Sequence, residues 1–223
     1  MRLFSLFLLA IAVSHGALET QAAERPRTLT LAASWQPAFC ETESNRRECV
    51  SQTENRFDAT NFSLHGLWLD RRNCPGVRYS RLPQQLWEEL RVVMPGTRSG
   101  LQRHEWEKHG RCYSSEPATY YRDSLKLMAA LNASPVRALF ERRTGSFLSA
   151  QEIRRTFDDA FGRGAGDRVE IKCVQDGRRL LIEELRIAMK GDPRAQSFGV
   201  LIRQARARKQ GCRGGIVDRV GLQ

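Results

Sequence analysis

Two short stretches of this chain concentrate the side chains that can move protons: Phe62-Ser-Leu-His65-Gly-Leu-Trp68-Leu-Asp70 and His104-Glu105-Trp106-Glu107-Lys108-His109-Gly110-Arg111-Cys112. Histidine titrates at about 6.5 in water, so a pair of them can act as acid and base near neutral pH. The second stretch invites comparison with the H-E-x-x-H of zinc proteases, but its histidines are five apart. At about 100° per residue, His104 and His109 would diverge by roughly 140° on an α-helix, whereas metal ligands at i, i+4 share a face. The pairs that do share a face are Glu105 with His109 and His104 with Lys108. This spacing predicts an acid, a base and a cation around a cleft. The competing arrangement is a solvated helix face, with Glu105 and Glu107 paired to Lys108, Arg103 and Arg111.

Other elements must hold these groups in place. Leu29 to Trp35 alternates loosely and is β-prone, and Asn61 to Trp68 does the same with Phe62, Leu64 and Trp68 on alternate positions. On such a strand His65 points away from Leu64 on the core face, and Gly66 permits a close approach beside it. Pro83 opens a helix with proline in its first turn, stopped by Pro95-Gly96. A short helix is expected over Leu101–Lys108, closed by Gly110, then a longer one over Thr119–Leu131 and another from Pro135. Ser149-Ala-Gln-Glu152 is a capping box for a helix toward Phe161. Strands are expected at Arg168–Val174 and Leu180–Met189, joined by an Asp176-Gly177 turn, and a last strand at Phe198–Ile202. The pattern is α+β: a central, mostly antiparallel sheet packed with several helices in one domain. Trp35 and Trp106 are expected in its core.

Residues 1–23 differ from the rest, with Arg2, an apolar stretch from Leu3 to Val13 and small residues around Gly16, Ala22 and Ala23. They read as a secretory signal peptide, leaving residues 24–223 as the mature domain, with no membrane anchor once the leader is removed. His15, the fourth histidine, leaves with it. In an exported protein six cysteines with no C-x-x-C pair argue for disulfides rather than zinc, although their pairing cannot be deduced from the sequence alone. The net charge of +11, with 31 Arg and 5 Lys, suits a polyanionic partner. A non-catalytic cationic protein binding RNA or anionic surfaces would share that charge, but it would need no particular histidines.

Together the two stretches resemble the active-site segments of the ribonuclease T2 family, acid and largely base-nonspecific ribonucleases, and particularly its bacterial periplasmic members. The first resembles F-x-x-H-G-L-W-P-D and the second H-E-W-x-K-H-G-x-C. Ser34-Trp35-Gln36-Pro37-Ala38-Phe39-Cys40 resembles the family's opening W-x-P-x-x-C. The likeness is anchored on residues 29–112. One departure is Leu69, which stands where the family has proline and bears on the loop carrying Asp70. The resemblance implies a bridge between Cys74 and Cys112, within an expected set of Cys40–Cys49, Cys74–Cys112 and Cys173–Cys212.

It also implies a chemistry that two histidines and a cation can perform on RNA without a cofactor or metal. The ribose 2′-hydroxyl attacks the adjacent phosphorus, so the enzyme need only remove one proton, supply another and stabilise the phosphorane. His109 is expected to be the base and His65 the acid. By resemblance, His104 binds phosphate, Glu105 and Lys108 stabilise the pentacoordinate oxygens, and Trp68 and Asp70 meet the base. The expected partner is single-stranded RNA, DNA being a possible competitor that survives uncleaved, and the protein is expected to be a monomer.

Overall fold

The computed structural model describes residues 27–70 and 74–222; the expected leader lies outside them. Its strands are β1 (Thr28–Ser34), β2 (Ser63–Leu69), β3 (Phe147–Ser149), β4 (Val169–Asp176), β5 (Arg179–Lys190) and β6 (Gly214–Ile216). The helices are α1 (Gln36–Thr42), α2 (Arg47–Val50), α3 (Gln84–Val93), α4 (Leu101–Glu105), α5 (Arg111–Tyr113), α6 (Pro117–Asn132), α7 (Pro135–Arg143), α8 (Ala150–Phe161) and α9 (Phe198–Gln204).

The apolar run of β1 is buried at every position but its ends, as a central strand covered on both faces must be. It pairs antiparallel with β2 on one side and β5 on the other. Along its other edge β5 pairs antiparallel with β4, the two joined through Gly177 at φ +52°. Beyond the end of β1, β6 joins β5 in parallel at Leu181 and carries β3 antiparallel. The fold is therefore α+β, its strand pairings antiparallel apart from that of β5 with β6, with isolated parallel bridges at Thr144–Val217 and Ile171–Gly211. Trp35, Phe62 and Phe140 stack edge-on or tilted in the core, with centroids 4.7 to 5.5 Å apart.

Strand β2 is an edge, and an edge strand's outward backbone groups need partners. Helix α6 supplies them. The Tyr120 hydroxyl donates to the Leu67 carbonyl at 3.0 Å and accepts from the Leu67 N–H at 3.1 Å. The Asn132 amide likewise donates to the Phe62 carbonyl and accepts from its N–H, both at 2.9 Å. These two clips bracket His65.

Several expectations are corrected. Phe198–Ile202 is helix α9, not a strand: Phe198, Leu201 and Ile202 are its buried positions, the i, i+3, i+4 spacing of a helix face. The strand expected there is instead Gly214–Ile216, too short and glycine-rich to show a period. Gly110 does not close its helix, which continues to Tyr113. It is glycine for close packing, since a Cβ there would lie 2.4 Å from Trp106 Cε3. Pro83 sits at the N-cap of α3, just outside the first turn. At α8 the Ser149 hydroxyl accepts from the Glu152 N–H, but the Glu152 carboxylate turns outward to Arg143 at 2.7 Å.

Candidate active site

Two β-bulges shape the site. Between β1 and β2 the register shifts so that Ala32 opposes Gly66 and Ala33 opposes Leu64, which leaves His65 as the extra residue. Between β4 and β5, Lys172 opposes Glu184 and Cys173 opposes Ile182, which leaves Glu183 extra. A bulge bends its strand and re-aims the side chain it carries. Across β1, Ser34 opposes Glu184 and Ala32 opposes Arg186. Thus His65 from β2 and the Glu184–Arg186 pair from β5 converge over the end of the strand between them.

The facing wall is helical and not uniformly α. After α4, residues Trp106–Gly110 form a π-turn, with the Arg111 N–H bonded to the Trp106 carbonyl five residues back. Single π-turns inside α-helices recur at functional sites. The uniform α-helix expected over Leu101–Lys108 is corrected by it, since the turn widens from Trp106 onward.

His65 lies between two carboxylates. Its Nδ1 is 2.6 Å from Glu184 Oε2, and its Nε2 is 3.8 Å from Glu105 Oε1. Both carboxylates are buried. Trp68 Nε1 donates to Glu105 Oε2 at 2.9 Å, and the Trp68 ring meets both imidazoles, with centroids 5.3 Å from His65 and 5.8 Å from His109. Arg186 donates from Nε to Glu184 Oε1 at 2.7 Å and lies over the Trp68 ring at 4.9 Å. Gly66 leaves room for the Glu105–Trp68 contact: a Cβ would stand 2.0 Å from Glu105 Oε2 and 2.7 Å from Trp68 Nε1, so those side chains would have to shift.

These surroundings split the two histidines. Burial, with Lys108, His104 and His65 nearby, pulls His109 down to about 4. Burial also acts to lower His65, but the Glu184 hydrogen bond and the charges of Glu184 and Glu105 outweigh it, so His65 is raised. Glu105 is raised by burial against the pull of His65, Trp68 and Lys108. Glu184 is lowered, burial being overcome by His65 and Arg186.

A cavity of about 470 Å³ opens beside His65 and His104, lined also by Ser34, Phe39, Leu101 and Arg186. His104 and Lys108 are exposed. Asp70 is exposed at the end of β2, its N–H bonded to the Thr28 carbonyl at 3.3 Å. A second cleft of about 1020 Å³ is lined by Arg78, Arg81, Arg103 and Arg111 with Tyr79 and Trp87. Disulfides join Cys40 to Cys49, Cys74 to Cys112 and Cys173 to Cys212. The second ties the segment after β2 to the end of the π-turn helix. Among the described residues, no group of three or more His, Cys, Asp or Glu could hold a metal ion. Trp35 and Trp106 are fully buried.

Glu184 and Arg186 escaped the motif-based reading. Their signal is local: three charged residues interrupt the apolar run Leu-Leu-Ile-Glu183-Glu184-Leu-Arg186-Ile-Ala-Met, and Glu184 and Arg186, at i and i+2, share one face of a buried strand.

The sequence model of the Ribonuclease T2 family matches residues 27–198. The chain belongs to this family of endoribonucleases. Among T2 relatives, it is 29% identical over 204 residues to Ribonuclease I of Escherichia coli, covering 73% of this chain and 74% of the relative. It is 28% identical over 142 residues to Extracellular ribonuclease LE of Solanum lycopersicum, covering 56% and 60%. The fold is also that of solved T2 ribonucleases. The self-incompatibility-associated SF11-RNase of Nicotiana alata aligns with TM-score 0.58 and 21% identity over 83% of this chain and 94% of that one. The S3-RNase of Japanese pear aligns with TM-score 0.60 and 17% identity over 86% and 99%.

Proposed function

We propose that the mature chain is an exported endoribonuclease that cleaves single-stranded RNA with low base specificity, without a metal, through a 2′,3′-cyclic phosphate to 3′-phosphate ends. The observation that carries this reading is the pair of imidazoles set against one indole, His109 depressed and His65 raised. Such a split supports one histidine serving as base and the other as acid at the same pH.

In the first step His109 takes the 2′-hydroxyl proton, the 2′-oxygen bonds to phosphorus, and His65 Nε2–H protonates the departing 5′-oxygen. Glu105 and Lys108 flank the phosphorane, and His104 holds the phosphate. In the second step the proton roles reverse and water opens the cyclic phosphate. Trp68, whose ring touches both histidines, and Asp70, just past the end of β2, are proposed to meet the base. The arginine-lined cleft and the net charge of +11 supply the field that attracts a polyanion. Three disulfides and a relative named as extracellular support export.

The test is incubation of the purified mature chain with a fluorescent oligoribonucleotide at mildly acidic pH, with and without EDTA. Cleavage unaffected by EDTA, with cyclic phosphate ends detected by mass and the matching DNA left whole, is expected. Intact RNA, or cleavage abolished by EDTA, overturns the proposal.

A further inference from the structure

We infer that Glu184 is a positioning residue of the cleavage reaction: by accepting the His65 Nδ1–H, it aims Nε2 at the departing oxygen and keeps the ring charged as the proton donor. The inference rests on the proposed acid role of His65.

The geometry is that of a ring gripped from one side. Glu184 is buried and receives three donors: His65 Nδ1 at 2.6 Å, Arg186 Nε at 2.7 Å and the Ser34 hydroxyl at 3.4 Å. A buried carboxylate with that many donors, one of them a guanidinium, stays ionised and can only accept. Nδ1 must then carry a proton whether the ring is charged or neutral, which leaves Nε2 as the atom that gains and loses one. Glu105 cannot fill this part. It faces Nε2 at 3.8 Å, beyond hydrogen-bond reach, and its Oε2 is held by the indole.

Arg186 prevents Glu184 from swinging away and, by lying over Trp68, fixes the carboxylate relative to the indole that both histidines touch. Both bulges serve the contact. One offers His65 toward β5, and the other displaces Glu183 and sets Glu184 opposite Ser34. The charged and titratable groups facing His65 are Glu183, Glu184 and Arg186 from β5, together with Glu105, His104 and His109 from the helical wall. Of these, Glu184 alone makes a hydrogen bond to the ring.

Two substrates separate this role from a structural one. A dinucleotide needs its 5′-oxygen protonated, whereas a uridine 3′-(4-nitrophenyl phosphate) expels a stable phenolate and needs no acid. Both yield the same cyclic phosphate. Glu184→Gln keeps an acceptor for Nδ1–H but removes the charge. It is expected to cost roughly tenfold or more in kcat on the dinucleotide and to move the alkaline limb of kcat/KM to lower pH by about one unit. On the nitrophenyl ester its rate should stay within about threefold of wild type, as should that of His65→Ala, since neither group is needed there.

Equal losses on both substrates, or an unmoved alkaline limb, overturn the inference. If wild type leaves RNA whole, or His65→Ala keeps full dinucleotide activity, the underlying function is what fails. If wild type and His65→Ala behave as proposed while Glu184→Gln retains rate and profile, only this inference fails. Should Glu184→Gln not fold, nitrogen NMR of the wild-type rings decides. A neutral His65 protonated at Nδ1 supports the role, and one protonated at Nε2 overturns it.

Discussion

His65 and His109 have the same chemistry in water but opposite surroundings in this protein. His109 is half-buried near Lys108, His104 and His65, with no carboxylate on its ring among the described residues, and is held at about 4. His65, between Glu184 and Glu105, is raised. The pH dependence follows from these signs. The base must be neutral, so kcat/KM should climb as pH rises through about 4. The acid must be charged, so activity should fall once pH passes the raised value of His65, above 6.5. A bell with its maximum on the acid side of neutrality is expected in a stopped assay across pH 3 to 9, and a rate that still rises above pH 8 would contradict the assignment. His65→Ala and His109→Ala should each lower kcat on RNA by about 10²-fold or more, with thermal unfolding little changed. Near-wild-type turnover in either variant removes that histidine from the pair.

The strand and the helical wall work because their backbones come close. Gly66→Ala puts a methyl group where the Glu105 carboxylate stands. Forced overpacking of this kind costs roughly 1–3 kcal/mol, and here it also pushes Glu105 off the indole. Denaturant unfolding should report the first effect and turnover the second; an alanine variant with full stability and rate would mean that the wall moves freely. On the far side of β2, Tyr120→Phe removes the hydroxyl that serves both backbone groups of Leu67. A buried donor left unsatisfied costs about 1–3 kcal/mol, so this variant should unfold at lower denaturant. A midpoint equal to wild type would show that Tyr120 does not clip the edge.

At the scale of the molecule, the site is assembled from β2, β5 and the α4 to α5 wall, parts far apart in the chain. Cys74–Cys112 spans a sequence separation of 38 and ties two of them. Replacing both cysteines with serine should cost roughly 2–5 kcal/mol and depress kcat more than it raises KM, since binding needs less exact alignment than proton transfer. Thermal unfolding and steady-state kinetics on one preparation test this; unchanged kcat in a destabilised but folded variant would show that packing alone keeps the site in register. RNA affinity should fall steeply with salt, as expected for a strongly basic protein releasing counterions from a polyanion. A flat binding curve between low and high salt would exclude that mode.

The sequence by itself determined which residues could act and which elements would carry them. The spacing of His65, His104, Glu105, Lys108 and His109, the periodicity of most strands and helices, and the excess of arginine are all one-dimensional facts. It misplaced Phe198–Ile202, where a short apolar run fits either period, and it assumed a uniform helix where a π-turn intervenes. Only the tertiary structure decided that Glu184, 119 residues from His65, would share a hydrogen bond with it, and that two bulges would bring them together. It also decided which histidine rises and which falls. The reason is physical: desolvation and charge coupling depend on which groups packing brings within a few ångströms, and neither is a property of a residue alone.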